Sequence, residues 1–192
     1  MPSTIFTYKQ RDAYTSPWSQ AERWRMLLWQ ICWAAFCAWT PKPLNGWRLF
    51  WLRLHGAKLH GTPFVHQHAR IAIPWNLTLH HRACLGDGTV AYTLGEIEIM
   101  EDATVAQEAY LCTGTHDLAS PTRPLQTGRI VIGAGAFIGA RAFVMPGIHV
   151  GAGSIVGACS VVTRDVPAHD RVMGNPAQSR VQSTATVKQP TA

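Results

Sequence analysis

Residues 132–167 read IGAGAF IGARAF VMPGIH VGAGSI VGACSV VTRDVP, six consecutive six-residue units, each opened by Ile or Val. The fifth place is Ala136, Ala142, Ile148, Ser154, Ser160 and Val166 in turn, small or β-branched throughout. The second place is Gly in four units, with Met145 and Thr163 as the exceptions. Apolar residues at every sixth position form no stripe on a helix of 3.6 residues per turn. They fit short strands joined by tight turns, with the anchor pointing inward and Gly where the backbone needs freedom. A short fixed period of this kind marks a stacked-repeat architecture.

Upstream the same period recurs with interruptions. Val65 and Ile71 open two units, with Ala69 and Trp75 at the fifth place. The frame then slips by two residues to Leu79 and Leu85, with Ala83 and Thr89 at the fifth place. After Val90 comes a link, AYTLGEIE, and the period resumes at Ile99, Val105 and Leu111, with Ala103, Ala109 and Thr115. It breaks again after His116, where residues 117–129, DLASPTRPLQTGR, show no anchor pattern. Beyond Pro167 the chain leaves the repeat, and the polar tail 182–192 is expected to be disordered.

The chain of 192 residues suits one domain plus an appendage, and 47% apolar with 15% charged residues supports a real core. Residues 1–60 hold eight Lys/Arg against Asp12 and Glu22, whereas residues 61–192 hold nine of each sign. Seven of the eight Trp also precede residue 60. The composition therefore divides the chain into residues 1–60 and a repeat domain, 61–181. Nucleic acid is not expected as a partner, because the positive charge lies among Trp and aliphatics and the repeat domain is neutral. Five Cys without a CxxC pair argue against a disulfide framework or structural zinc and for a reducing compartment, the cytoplasm. Residues 1–17 read as a loose leader without the features of a secretory signal.

Within residues 18–59, Met26–Trp39 carries no Gly or Pro and only Gln30 as a strongly polar residue, which predicts a helix. Fourteen helical residues reach about 21 Å, short of the roughly 30 Å of a bilayer core. Pro41 and Pro43 end it, Asn45 is placed to cap a second helix in GWRLFWLRLHGAKL, and Gly56 to close it. Two readings stand for this Trp-rich arm. It lies on an anionic membrane surface with its Arg and Lys towards headgroups, or it packs on the repeat domain or a neighbouring subunit.

The hexads, the break after CTGTHD and the terminal GNPA together resemble the left-handed parallel β-helix acyltransferases, and YTLGE with the Trp-rich arm resembles their exopolysaccharide branch. The resemblance covers roughly residues 18–181. It implies an all-β, left-handed parallel β-helix with an N-terminal helical arm. It also implies a homotrimer that moves an acetyl group from acetyl-CoA, a co-substrate, to a saccharide hydroxyl. Such an acceptor could be lipid-linked, with peripheral contact at the cytoplasmic membrane through residues 18–59. A xenobiotic O-acetyltransferase and a non-catalytic β-helix scaffold are the alternatives.

An alcohol is a poor nucleophile while protonated, so this transfer needs a base, and His suits the task at neutral pH. The resemblance assigns that role to His116, beside the 117–129 excursion; Asp117 is a candidate to orient the loop or the imidazole. For CoA it implies Gly139, Ala140, Gly157 and Ala158, Thr163 and Arg164 near the nucleotide end, and Asn175, Pro176 and Arg180 around GNPA. Acceptor recognition falls to the irregular coils, at Trp75, Asn76, Tyr92, Thr93 and Glu96, although Trp75 could equally fill the coil interior. The pairs His66/His68 and His80/His81 invite a comparison with zinc-binding β-helix enzymes, the γ-class carbonic anhydrases. No matched third ligand is apparent, so no metal is expected.

Overall fold

The computed structural model describes residues 5–10, 12 and 15–180; the expectation for the tail 182–192 lies outside the described residues. The repeat domain is a parallel β-helix of triangular section. Its first face carries the strands Lys58–Leu59, Leu77–Leu79, Ile97–Ile99, Ile130–Ile132 and His149–Val150. The second face runs from Phe64–Val65 through Cys84–Leu85, Thr104–Val105, Phe137–Ile138 and Ile155–Val156 to Arg171–Met173. The third carries Arg70–Ile71, Val90–Tyr92, Tyr110–Cys112, Phe143–Val144 and Val161–Val162. The anchors Ile132, Ile138, Val144, Val150, Val156 and Val162 are all at most 1% exposed, and all six fifth-place residues are buried. The period therefore reports the inward face of each turn.

The register explains the interruptions. Lys58 pairs with Thr78, Phe64 with Cys84 and Arg70 with Val90, twenty residues apart. Later coils pair Val131 with His149 and Phe143 with Val161, eighteen apart. Between these regimes Tyr110 pairs with Phe143, thirty-three residues on. All the extra residues fall on one edge, where the third face turns into the first: 72–76 in the first coil, 93–96 in the second, 113–129 in the third. Insertion at a corner leaves the strands in register, which is why the stack tolerates it.

The excursion is more ordered than its composition suggests. Gly114–His116 and Leu125–Gly128 form an antiparallel hairpin, with Thr115 opposite Gln126. Thr115 is exposed, so the third coil ends its inward pattern at Thr113, which is fully buried. A third strand, Ile5–Thr7, pairs antiparallel with Leu125–Gly128, and Gln10 Oε1 accepts from the Leu125 N–H at 2.5 Å. The leader is thus not loose at residues 5–10, where it straps the hairpin.

Helix α1, Gln20–Phe36, starts six residues earlier than the apolar run predicts. A capping box sets that start, with the Ser19 and Glu22 side chains each bonding the other's backbone N–H. Among the described residues no helix is long and apolar enough to cross a membrane. Helix α2, Asn45–Leu54, is not capped by Asn45. That amide instead donates to the Pro63 carbonyl at 2.8 Å and accepts from the Val65 N–H at 3.0 Å, joining α2 to the first coil. Arg48 likewise does not face outward. It is 0% exposed and donates to Val65 O, Thr40 Oγ1, Pro41 O and Lys42 O at 2.8–2.9 Å. The opposite face of the arm leaves Trp24, Leu27, Leu28, Ile31, Trp39, Trp47, Phe50 and Leu54 exposed.

Candidate active site

His116 ends the first hairpin strand, and the hairpin's root explains its position. Thr113 Oγ1 donates to Tyr92 O and accepts from the Gly95 N–H at 2.8 Å, which anchors the hairpin on the link of the preceding coil. A Cβ at Gly114 would lie 2.9 Å from Leu94 Cδ1, so any larger residue there would have to displace the Leu94 side chain. At the far end His116 Nδ1 lies 2.8 Å from the Arg123 carbonyl oxygen. A carbonyl only accepts, so Nδ1 carries the hydrogen and the exposed ring keeps its lone pair on Nε2. That is the tautomer a general base needs. Asp117 does not orient the ring: its Oδ1 accepts from the Ala119 N–H at 3.0 Å and shapes the loop tip.

The acceptor candidates divide into groups with different roles. Trp75 sits outside the coil, its ring under the Arg25 guanidinium at 3.9 Å, while Ile73 and Leu77 fill the interior. Trp75, Asn76 and Glu96 line a cleft of about 230 Å³ with Lys58, His60, Thr78, Ile97, Glu98 and Arg129. Asn76 Nδ2 donates to Thr93 O and Leu94 O, so only the rest of its amide can meet a ligand. Thr93 is corrected: it is 0% exposed and its hydroxyl joins Ile73 N and Ile73 O. Tyr92 lies on the third face, where its ring meets Tyr110 at 5.9 Å.

Lys58, His60, Glu98 and Arg129 are not legible in the linear sequence: a twenty-residue spacing brings Lys58, Thr78 and Glu98 into line, and a thirty-three-residue step across the hairpin brings Arg129 beside them. Hydrogen bonds from His80 and then Arg129 hold the Glu98 carboxyl below the usual range. Glu98 is therefore ionised in this cleft near neutral pH.

The CoA candidates fall mainly on a different edge, between the second and third faces. Ala140, Gly157 and Ala158 are at least partly open there, and small side chains leave the backbone approachable. Gly139 is corrected: it is buried, and a Cβ would meet Ala158 N at 2.5 Å, so its need is stacking. Gly174–Ala177 closes the same edge, with Gly174 O accepting from Val161 N–H at 2.9 Å and Ala177 N–H donating to Val161 O at 2.8 Å. Asn175 and Pro176 are exposed on this turn. Arg180 leaves it, donating its N–H to Arg171 O. Thr163 and Arg164 lie exposed on the His116 edge, above the hairpin in the stack. His116 and the Ala140–Ala158 strip of one chain are thus separated by the width of the third face.

Comparison with known proteins places this architecture among characterised relatives. The bacterial transferase hexapeptide (six repeats) family matches residues 129–164. The acetyltransferase WcaF of Escherichia coli K12, named for colanic acid biosynthesis, is 41% identical over 153 residues, 80% of this chain and 84% of its own. A galactoside acetyltransferase solved with coenzyme A superposes with a TM-score of 0.78 at 17% identity, covering 86% of this chain and 84% of its own. A hexapeptide-repeat acetyltransferase from Vibrio cholerae, solved with acetyl coenzyme A, gives a TM-score of 0.74 at 18% identity, covering 86% and 91%.

Proposed function

The chain belongs to the hexapeptide-repeat acetyltransferases, and on that premise we propose that it acetylates a saccharide hydroxyl in exopolysaccharide synthesis, using acetyl-CoA. The observation that carries the chemistry is the His116–Arg123 hydrogen bond, which leaves Nε2 free on a strapped hairpin. Nε2 takes the hydroxyl proton as the sugar oxygen attacks the thioester carbonyl. Backbone N–H groups near the hairpin stabilise the oxyanion, and its collapse breaks the C–S bond. The imidazolium then returns its proton to the CoA thiolate. Thr163 and Arg164 face the nucleotide end, Arg164 as a phosphate partner, and Ala140, Gly157, Ala158, Asn175 and Pro176 follow the pantetheine arm.

These two sets lie on different edges, which supports a homotrimer in which the His116 edge of one copy meets the CoA edge of the next. Trp75, Asn76 and Glu96 offer an aromatic face and polar groups to the sugar. The exposed apolar face of α1 and α2 supports a second element, contact with an anionic membrane surface where a lipid-linked acceptor resides.

The test is His116→Ala. We expect kcat for acetyl transfer to fall by about 10²–10⁴-fold, with thermal unfolding and acetyl-CoA binding retained. Transfer near the wild-type rate overturns the assignment. Mass spectrometry of polysaccharide repeat units, with and without the enzyme, tests the acceptor class.

A further inference from the structure

His66 and His68 sit on the edge between the second and third faces, in the first coil, remote along the stack from the coils that carry the CoA candidates. The parallel pairing of Phe64 with Cys84 and Val65 with Leu85 lays the next turn over theirs. That register brings Asp87 to both rings. Its Oδ1 lies 3.0 Å from His66 Nδ1 and 2.8 Å from His68 Nδ1, and the three donor atoms all lie within 4.8 Å of one another. The third ligand that is not apparent in the linear sequence is thus supplied by the coil stack.

We propose that His66, His68 and Asp87 bind one divalent transition-metal cation of the zinc class, clipping the first coil to the second. Two imidazoles and a carboxylate are a donor set suited to such an ion. In a tetrahedral site with bonds near 2.0–2.1 Å the donor atoms stand about 3.3 Å apart, so the two short separations need open by only a few tenths of an ångström. The present contacts also leave a demand for positive charge. The His68 backbone N–H points at His66 Nδ1 at 3.4 Å, which makes that nitrogen an acceptor facing a carboxylate oxygen, another acceptor. A proton or a metal ion between them resolves the contact.

Burial keeps His66 below the usual histidine range, and Lys42 and Arg48 add to that, while Asp87 opposes it. The hydrogen bond from His68 holds the Asp87 carboxyl low. Both shifts favour the metal-binding forms of His66 and Asp87, and a cation at His68 Nδ1 would displace the hydrogen that this nitrogen now shares with Asp87. The His68 and Asp87 side chains are 58% and 53% exposed, which gives an ion access and leaves room for a water ligand. The Val65 segment beside the site is also held by Arg48 and Asn45, so the clip reinforces the junction of arm and solenoid.

The test uses the full chain, stripped with chelator and titrated calorimetrically with Zn²⁺, then with Co²⁺ for its visible spectrum. We expect one ion per chain with micromolar or tighter affinity, and the intense absorption of tetrahedral Co²⁺. At a hundredfold excess over Kd, Zn²⁺ should raise Tm by about 5–10 °C. Asp87→Asn and His68→Gln should each weaken binding at least thirtyfold, and His81→Ala, on another edge, should leave it unchanged. Metal-free melts of each variant show whether it folds. Affinity weaker than about 100 μM, or variants that fold and bind within tenfold of wild type, overturns the proposal.

Discussion

His116 Nδ1 and the Arg123 carbonyl oxygen, 2.8 Å apart across the hairpin tip, fix which nitrogen of the candidate base is free. That carbonyl is aimed by an unusual backbone, since Arg123 has φ +44°. Glycine adopts this conformation readily and a β-branched residue does not. Arg123→Gly should therefore retain activity, whereas Arg123→Val should lower kcat about tenfold, as about 1.4 kcal/mol of misplacement implies. Steady-state kinetics with acetyl-CoA and a soluble acceptor check this.

The strap makes a separate prediction. Gln10→Ala removes the acceptor for the Leu125 N–H, a loss of about 1 kcal/mol local to the hairpin. Hydrogen exchange should quicken across 114–128 and kcat should drop, with global Tm little changed. Unaltered exchange would show that Ile5–Thr7 holds the hairpin without Gln10.

Arg48 is a stability determinant. Arg48→Ala leaves four acceptors without their donor and should cost about 2–4 kcal/mol in denaturant unfolding. Arg48→Lys should recover little, because one ammonium cannot reproduce the planar fork.

Glu98 predicts a pH effect. Its folded-state pKa is depressed, so its contribution is present above the ordinary range of about 4.3 and is lost as pH falls through the folded value. Glu98→Gln should flatten the acid limb of the stability curve below that range. An unchanged acid limb would exclude Glu98 as a contributor.

For the arm, Leu27→Ser with Leu28→Ser and Ile31→Ser should reduce co-sedimentation with anionic vesicles several-fold, while leaving transfer to a soluble acceptor intact. Undiminished sedimentation would turn the proposal towards packing between subunits.

How far the sequence reaches follows from the range of each interaction. The hexads Ile132 to Val162 are legible because each anchor must face the same dry interior, so burial writes a period into the chain. The same regularity marks its own failures, and the resemblance to the β-helix acyltransferases singles out His116 at one of them. Arg48 shows the limit: charge and neighbours suggest a surface cation, but its acceptors come from turns and from a strand seventeen residues away.

By itself, then, the sequence determined the solenoid and the inward residues of its regular coils, both consequences of local pattern, while motif resemblance supplied the candidate base. Only the tertiary structure decided that every insertion falls on one edge, that Ile5–Thr7 braces the His116 hairpin and that Asp87 meets His66 and His68. Those relationships depend on coil register and on contacts between distant segments. A period of six specifies which way a residue faces, but not which residue of another coil stands beside it.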